Sequence, residues 1–359
     1  MLQQTQVKTV IPFWERWLRE LPTIEAAAQA DADLLHKLWE GLGYYTRVRN
    51  LQRAAQVMVE RHGGRFPERF DEVLALPGIG RYTAGAICSI AFNQPTPLLD
   101  GNVMRVLTRL FGIGENPREK VTNARLWELA TELVVGAEQL EQAESERLKK
   151  TASGSARVGK ARALNYCSHL NQALMELGAL VCTPRNAQCL LCPVREDCTA
   201  YREGRVEALP NLGERTRATA REFVAFAIEW NGKLLVRQRP AGVVNAHLWE
   251  FPNVEVTSAN ETASTKAATK AITKATPEEL FAEEFGVATD ECAALVTIKH
   301  AITRYRITLR AYWVRVKSGK GLARRGLVWK TPEQLGALAL TAAHKKLASA
   351  AGQRIIANR

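Results

Sequence analysis

Four cysteines in the middle of the chain are spaced closely enough to share one metal centre. They are Cys182, Cys189, Cys192 and Cys198, separated by six, two and five residues. Four neighbouring thiolates can enclose a cuboidal 4Fe–4S cluster or hold one tetrahedral zinc ion. Zinc sites more often use two separated CxxC pairs, and one such pair is present here. Four unligated buried cysteines are the remaining alternative. The odd total of seven cysteines argues against a disulfide framework.

A turn rich in glycine and proline is a candidate phosphate site. Residues 76–80 read Leu-Pro-Gly-Ile-Gly, and a helix is predicted to follow over 81–91. Gly78 and Gly80 allow a tight turn and a close approach of the backbone to a ligand. The free N–H groups at the start of the next helix attract anions. Taken alone, the pattern is as typical of an ordinary connection between two helices as it is of a phosphate site.

Asp100 is the candidate functional acid. It lies in the sequence Leu-Asp-Gly-Asn-Val at 99–103. The alternative is that Asp100 merely caps a helix that starts near Asn102, and the two roles are compatible.

The turn followed by the aspartate resembles a unit of the helix-hairpin-helix DNA glycosylase superfamily, and the cysteine spacing resembles its iron–sulfur signature. Within that superfamily the chain is most similar to the MutY-type enzymes, which remove adenine mispaired with an oxidised guanine. The resemblance implies an all-α glycosylase fold with an iron–sulfur cluster loop. It also implies that the 4Fe–4S cluster is structural and shapes a loop from which Arg185 could reach a phosphate.

The resemblance assigns the catalytic residues. Breaking an N-glycosidic bond creates positive charge on the sugar, which a carboxylate stabilises; the resemblance gives this role to Asp100. Tyr82 and Asn102 are implied to tune that carboxylate. Relatives that also cut the DNA backbone carry a Schiff-base lysine at the position of Tyr82, so we expect a monofunctional enzyme.

Two further strings are implied to read the lesion. Excision requires the target nucleotide to be flipped out of the duplex, and other side chains must hold its partner. Residues 2–7 (Leu-Gln-Gln-Thr-Gln-Val) and 41–45 (Gly-Leu-Gly-Tyr-Tyr) match the MutY type. The positions implied to touch the 8-oxoguanine side are Gln4, Thr5, Leu42 and Tyr44. Gln172 matches a position that meets the adenine edge. Tyr44 considered alone would more often be a core aromatic.

The C-terminal part resembles the Nudix-type domain that MutY enzymes append, through Leu-Trp-Glu-Phe-Pro at 248–252. A Nudix hydrolase needs a set of metal-binding acids on one helix. Residues 283–287 are a remnant of that set, and Leu280 and Glu279 stand where a glutamate and an arginine are expected. We therefore predict no pyrophosphatase activity.

Residues 300–304 correspond to a loop that checks for 8-oxoguanine in the family. The family usually has His-x-Phe-Ser-His there, and this chain has His-Ala-Ile-Thr-Arg. Thr303 keeps a hydroxyl, whereas Ile302 replaces the aromatic residue and Arg304 the second histidine. Thr303 and Arg304 are candidate DNA-binding residues, and we expect lesion checking to differ.

The charge of the chain favours a polyanionic partner. The net charge is +12 and the pI about 9.5. Residues 1–200 hold 24 Lys and Arg against 22 acids, whereas residues 301–359 hold 13 against 1. Period-two counting places Arg304, Arg306 and Arg310 on one strand face, where DNA could lie. The alternative is a solvated basic surface.

The elements that must position these residues change type along the chain. Apolar residues recur at helical spacing through 1–135 and again from 166, and 138–163 are expected to be a loop or a frayed helix. Strands are predicted at 223–228 and 233–236 around an Asn231-Gly232 turn, and over 305–316. Residues 257–276 are predicted to be a flexible loop.

The predicted architecture is multidomain, with an all-α domain followed by an α+β Nudix-like domain. The predicted parts are a glycosylase domain over 1–202 (six-helix barrel to about 95, iron–sulfur subdomain about 96–202), a connector over 203–221 and the Nudix-like domain over 222–359.

The family resemblance implies further residues before Met1. They include a general-acid glutamate two places upstream, which protonates the adenine ring. Either the start was assigned at an internal methionine, which we favour, or the protein is truncated and lacks that acid. In-frame codons for Ser-Glu-Val or Ser-Glu-Ile just upstream would confirm the first explanation, and an in-frame stop there would refute it.

These features predict a base-excision-repair enzyme that removes adenine opposite 8-oxoguanine or guanine in double-stranded DNA. We expect a cytoplasmic, nucleoid-associated monomer with no membrane partner. A non-catalytic protein that binds mismatched DNA is the main alternative. A thymine-mismatch glycosylase is a weaker one, because the Nudix-like domain argues against it.

Overall fold

A computed structural model of the protein describes residues 1–152, 164–214, 218–256, 275–302, 304–322 and 326–357. The chain forms two compact units, one of Met1–Gln56 with Thr216–Arg359 and the other of Val57–Arg215. The predicted domain boundaries at 202 and 221 are drawn where helices give way to strands, not from compact units. They stay a prediction. In the described part of the chain, no helix is both long and apolar enough to cross a membrane.

The N-terminal half is helical, as its periodicity predicts. The first helices are α1 (Val7–Glu20), α2 (Ile24–Gln29), α3 (Ala32–Leu38) and α4 (Thr46–His62). The next are α5 (Phe70–Leu74), α6 (Arg81–Phe92), α7 (Gly101–Leu110), α8 (Lys120–Ala152), α9 (Tyr166–Glu176) and α10 (Thr199–Arg202). A π-helix at Leu177–Val181 extends α9, and Cys189–Leu191 forms a 3₁₀ turn.

The core of the Val57–Arg215 unit lies around α7. Leu98, Val103, Leu107 and Leu126 are buried together there, and burial of such side chains stabilises the fold by about 1.5–3 kcal/mol each. The long helix α8 continues as far as Ala152, so the frayed-helix alternative is correct for that part. Residues 153–163 lie outside the described residues, as does most of the loop predicted at 257–276.

The C-terminal part is a mixed sheet with helices on both faces. Its strands are β1 (Thr219–Trp230), β2 (Lys233–Gln238), β3 (Trp249–Glu250), β4 (Asn253–Val256), β5 (Glu291–Ile302), β6 (Tyr305–Arg315) and β7 (Leu327–Lys330). The order is β3-β2-β1-β6-β5, with β4 beside β1 and β7 beside β2, and only the β1–β6 pair among these named strands is parallel. Its helices are α11 (Pro277–Phe285), α12 (Pro332–Ala337) and α13 (Ala342–Ala357).

Strand β1 is central because both of its faces are covered. Phe226 packs on Phe281 of α11, whereas Ala225 lies in a core with Leu347 of α13. A strand buried on both faces has a continuous apolar run instead of alternation, as in residues 223–228. The predicted strands and α+β class are confirmed. Asn231 (φ +51°) and Gly232 (φ +74°) form the predicted turn, since a tight hairpin turn needs positive φ at both central residues.

Within the first unit, α3 and Glu40, two residues beyond its end, contact the sheet-containing part. Glu40 accepts hydrogen bonds from Lys345 Nζ (2.8 Å) and from the Leu340 backbone N–H (3.1 Å). The ring of His36 stacks on that of His247, with 6.2 Å between centroids. The N-terminal helices and the C-terminal segment therefore share one folded unit.

Candidate functional site

The glycine turn forms the predicted hairpin between α5 and α6. Pro77 cannot continue the first helix, and Gly78 adopts φ +80°, which disfavours other residues. Gly80 is the N-cap of α6, and no side chain caps the free N–H groups there. A Cβ built at Gly80 would meet nothing within 4 Å. The start of α6 therefore has the open geometry that an anion site needs, and phosphate binding there stays a prediction.

Asp100 is the N-cap of α7, so the capping alternative is correct. Its Oδ1 accepts hydrogen bonds from the backbone N–H groups of Asn102 (2.9 Å) and Val103 (2.8 Å). Its Oδ2 accepts from the Asn102 side-chain amide (3.2 Å). Asp100 remains half-buried. A carboxylate oxygen can accept more than one hydrogen bond, so capping leaves Oδ2 available to a substrate.

Tyr82, on the first turn of α6, lies in the electrostatic field of Asp100. Burial and, next, the Asp100 charge raise the pKa of the Tyr82 hydroxyl. That hydroxyl donates to the Met175 sulfur at 3.8 Å. Gln172 lies one turn before Met175 on α9, and its amide donates to the Ser168 hydroxyl at 3.0 Å. The structure therefore brings Tyr82 close to Asp100, and it places Gln172 on the helix that contacts Tyr82.

Arg105 links this acid to the cysteine loop. Its Nη2 donates to the Asn102 side-chain oxygen (2.9 Å) and to the Gly178 carbonyl (2.6 Å), and its Nε donates to the Cys182 carbonyl (2.7 Å). The side chain is buried at 8% exposure. One buried guanidinium thus joins the amide that contacts Asp100 to the first of the four cysteines.

The four cysteines line one cavity. Arg109, Arg195 and Tyr201 also line it. Burial and, after it, the other three cysteines raise the pKa of the Cys189 thiol. Across the described ranges, no three His, Cys, Asp or Glu side chains are arranged to hold a single metal ion. Four cysteines that line one cavity have the chemistry of an iron–sulfur donor set, which is larger than a single ion.

The N-terminal strings lie in the other unit and are held by Arg47. Its Nη1 donates to the Thr5 hydroxyl (3.2 Å), and its Nη2 donates to the Leu42 carbonyl (2.9 Å). Gln4 and Tyr44 both have positive φ, and the Tyr44 side chain is 56% exposed. Leu42 is 7% exposed, so its side chain belongs to the core in this structure. Whether these four residues touch DNA stays a prediction.

The predicted basic face of the strand is present, but its net positive charge is smaller than the count of arginines and lysines indicates. Arg304, Arg306 and Arg310 are exposed on β6 or just before it, as predicted, and Thr303 lies outside the described residues. Five basic residues of the C-terminal segment are paired with acids from earlier in the chain: Arg310 with Glu222, Arg315 with Glu229, Lys317 with Asp290, Lys345 with Glu40, and Arg354 with Glu291. Part of the positive charge of residues 301–359 is therefore offset by acids from earlier in the chain, and contact of this face with DNA stays a prediction.

The two residues that stand where the hydrolase glutamate and arginine are expected have structural contacts. Glu279 closes a capping box with Thr276 at the start of α11, and Leu280 is buried in the core. Both substitutions therefore stabilise the helix and its packing.

Sequence reasoning missed Arg47, Arg105, Arg109 and Met175. The available signal was the spacing of Arg105 and Arg109, four residues apart on a helix whose other face is apolar. Arginine is usually solvated, so the pattern did not indicate burial.

Comparisons with known proteins agree with this arrangement. Residues 1–132 match the family described as HhH-GPD superfamily base excision DNA repair protein, and residues 224–350 match the NUDIX domain. These two matches, in this order along one chain, define the class: a helix-hairpin-helix DNA glycosylase of base-excision repair with a C-terminal Nudix-like domain.

The curated relatives specify the family. The adenine DNA glycosylase of Rattus norvegicus is 33% identical over 97% of this chain and 69% of its own length, and that of Homo sapiens is 32% identical over 97% and 66%. The fission yeast enzyme is 39% identical, and the alignment covers 71% of this chain and 58% of that protein. A solved thermostable thymine-DNA glycosylase aligns with TM-score 0.43 at 25% identity, over 56% of this chain and 80% of its own. The chain belongs to the adenine DNA glycosylase family.

Proposed function

We propose that the protein is a monofunctional glycosylase that removes adenine paired with 8-oxoguanine or guanine. The observation that carries the proposal is the Asp100 carboxylate, held at both oxygens at the start of α7 beside Tyr82. Family membership supports adenine as the base removed. The opposing base is inferred from the N-terminal strings and the loop at 300–304.

The proposed mechanism uses the geometry of the hairpin and of Asp100. The open N–H groups at the start of α6, presented by Gly78 and Gly80, bind a phosphate beside the flipped nucleotide. As the bond from C1′ to adenine N9 breaks, its electron pair leaves with the base, which takes up a proton, and positive charge develops on the deoxyribose; the water that later adds to C1′ gives up a proton, so the hydrolysis balances. The Asp100 carboxylate stabilises that charge, and water then adds to C1′. Asn102 keeps the carboxylate turned towards the sugar, and Gln172 meets the adenine edge.

The absence of strand cleavage follows from Tyr82. A lyase forms a Schiff base through an amine, whereas Tyr82 presents a hydroxyl held by Met175. Since burial and Asp100 raise its pKa, this hydroxyl stays protonated near neutral pH and is no competing nucleophile.

Partner-base recognition is proposed for the exposed loops of the other unit. Tyr44 is the side chain proposed to fill the gap in the duplex, since it is exposed, and Gln4 and Thr5 lie on the neighbouring string that Arg47 contacts. The Leu42 side chain is buried. Leu42 is therefore proposed to contact DNA through its backbone. Thr303 and Arg304 are the proposed contacts to 8-oxoguanine from the Nudix-like domain.

We further propose that Cys182, Cys189, Cys192 and Cys198 hold a 4Fe–4S cluster. When bound, the cluster crosslinks the four cysteine thiolates and so orders the loop that carries Arg185. It takes no part in base removal. Measurement of iron, inorganic sulfide and zinc in the purified protein tests this assignment directly. Zinc in place of iron would contradict it.

Single-turnover excision tests the enzymatic proposal. The protein is expressed from its own gene with any in-frame codons upstream of Met1 and is mixed with duplexes containing A:8-oxoguanine, A:G or T:G. Abasic product is expected from the two adenine mispairs without borohydride-trapped adduct. Asp100→Asn is expected to abolish product while duplex binding remains. Unchanged excision by D100N, or a preference for T:G, would overturn the proposal. The comparisons do not favour the non-catalytic alternative, since the relatives named above are glycosylases.

A further inference from the structure

Arg109 is a buried cation beside the cysteine cavity. It lies on α7 and its side chain is 2% exposed. Its Nε donates to the Leu209 carbonyl (2.8 Å), and its Nη1 donates to the Thr183 carbonyl (2.7 Å) and to the Cys182 sulfur (3.4 Å). The Cys198 thiol in turn donates to the Arg109 carbonyl at 3.5 Å. Arg109 therefore touches the first and the last cysteine of the set.

Among the described residues, Arg109 has no carboxylate partner. None of the acids in the described ranges forms an ion pair with it, whereas Arg237 and Arg239 both pair with the buried Glu250. A buried charge is costly unless it is paired. The carbonyl groups of Leu209 and Thr183 accept hydrogen bonds from Nε and Nη1 but supply no opposite charge. The sulfur atoms of the cavity are the groups at hand that can carry one, since a cysteine that ligates metal is a thiolate.

We propose that Arg109 is the countercharge of the four-cysteine cavity. In the loaded protein its guanidinium pairs with the metal-bound Cys182 thiolate. When the metal is removed, that metal-bound thiolate is lost as a partner, and the carbonyl acceptors at Leu209 and Thr183 supply no opposite charge. Loss of the cluster then destabilises the protein twice, through the lost crosslinks and through an isolated buried cation. The inference rests on the proposed cofactor, and its test separates the two.

A purely structural role for Arg109 predicts something different. If only its bonds to Leu209 and Thr183 mattered, replacing it would destabilise the loaded and the empty protein equally. If it is the countercharge, replacement by a neutral residue weakens the loaded protein but relieves the empty one. The difference in melting temperature between the two forms is therefore the informative quantity.

The experiment compares the native protein with Arg109→Gln, Arg109→Lys and the control Arg195→Gln. Arg195 lines the same cavity, but its side chain is 36% exposed and lies 3.8 Å from Glu196. Each protein is melted as purified and after the iron has been removed by oxidation and chelation. Removal is expected to lower the melting temperature of the native protein, R109K and R195Q by similar amounts, and that of R109Q by clearly less.

Each outcome decides the inference. An equal drop in R109Q and the native protein would overturn it, as would an R109K drop as small as that of R109Q. If R109Q does not assemble the cluster, its empty form is expected to melt above the empty native protein, and an equal or lower value would overturn the inference. Purified native protein without iron and sulfide would contradict the cofactor assignment itself.

Discussion

The two oxygens of Asp100 have different partners. Backbone N–H groups of α7 hold Oδ1, so the helix fixes the position of the carboxylate. The Asn102 amide holds Oδ2, and Arg105 holds that amide. The rotation of the carboxylate, and hence the direction of its free lone pairs, depends on this side chain.

Replacement of Asn102 by alanine should therefore affect catalysis more than stability. The backbone cap remains in Asn102→Ala, but Oδ2 loses its side-chain partner. We expect the single-turnover excision rate to fall about 10²-fold, because small errors in the position of a catalytic group cost that much, with little change in melting temperature. Asn116→Ala removes a comparable local bond to the Arg118 N–H and should leave the rate unchanged. A rate for N102A within a few-fold of native would contradict the positioning role.

His344 makes the stability of the Nudix-like domain depend on pH. Burial lowers its pKa from 6.5 to about 4 despite the attraction of Glu250. Glu250 on β3, Arg237 on β2 and Arg239 face it, as does His300 on β5. Its Nδ1 accepts the Phe251 N–H at 3.1 Å, which favours the neutral ring.

The expected direction follows from this lowered pKa. The unfolded chain binds the proton at higher pH than the folded one, so the contribution of His344 is complete above pH 6.5 and is lost as the pH falls towards 4. The difference from 6.5 to about 4 corresponds to roughly 3 kcal/mol at 1.36 kcal/mol per unit. Hydrogen exchange of the β1 amides should show this loss of unfolding free energy as the pH falls. His344→Asn keeps an acceptor for the Phe251 N–H and should make the unfolding free energy depend less on pH. An equally steep fall in H344N would exclude His344 as the cause.

Two elements, α7 and the π-helix, approach more closely than side chains allow. A Cβ built on Gly178 would lie 2.7 Å from the Asn102 Cβ and 2.9 Å from its carbonyl oxygen. The missing side chain is what lets the Gly178 carbonyl receive the Arg105 bond. The element that leads to Cys182 is thus seated directly on the first turn after Asp100.

Gly178→Ala should accordingly displace Asn102. We expect a destabilisation of about 1–3 kcal/mol, typical of an overpacked core, together with slower excision. Gly136→Ala is the matched control, since Gly136 lies inside α8 with nothing within 4 Å of its Cβ position. That change should stabilise the protein by about 1 kcal/mol. Thermal unfolding and single-turnover rates measure both variants, and the same sign for both would contradict the close-contact explanation.

Elements governed by local sterics were predictable, and contacts between distant segments were not. Gly78, Gly80 and Asp100 specify a turn and two helix starts through their own backbone preferences, and Asn231-Gly232 specifies a hairpin in the same way. Arg105 and Arg109 are buried only because carbonyl groups more than 70 residues away accept their bonds. Nothing in the local sequence around α7 indicates those acceptors.

At the scale of the whole molecule, pairing decides which positive charges can meet DNA. The net charge of +12 counts each arginine equally, but Arg310 is paired with Glu222 across β1 and β6. Arg306 lies on the same face of β6 and is exposed, and it forms no ion pair with an acid in the described residues. Two neighbouring arginines of one strand thus differ in their availability to phosphate.

The salt dependence of DNA binding should distinguish these two arginines. Each phosphate neutralised by a protein cation contributes about 0.9 to the slope of log Kd against log salt concentration. Arg306→Gln should lower that slope by about 1 and weaken binding alike for matched and mismatched duplexes. Arg310→Gln should leave the slope nearly unchanged, because its guanidinium is already occupied by Glu222, although the affinity falls modestly as that acid is freed. Fluorescence anisotropy over a range of KCl concentrations measures both quantities. Equal slopes for R306Q and the native protein would place DNA away from this face of β6.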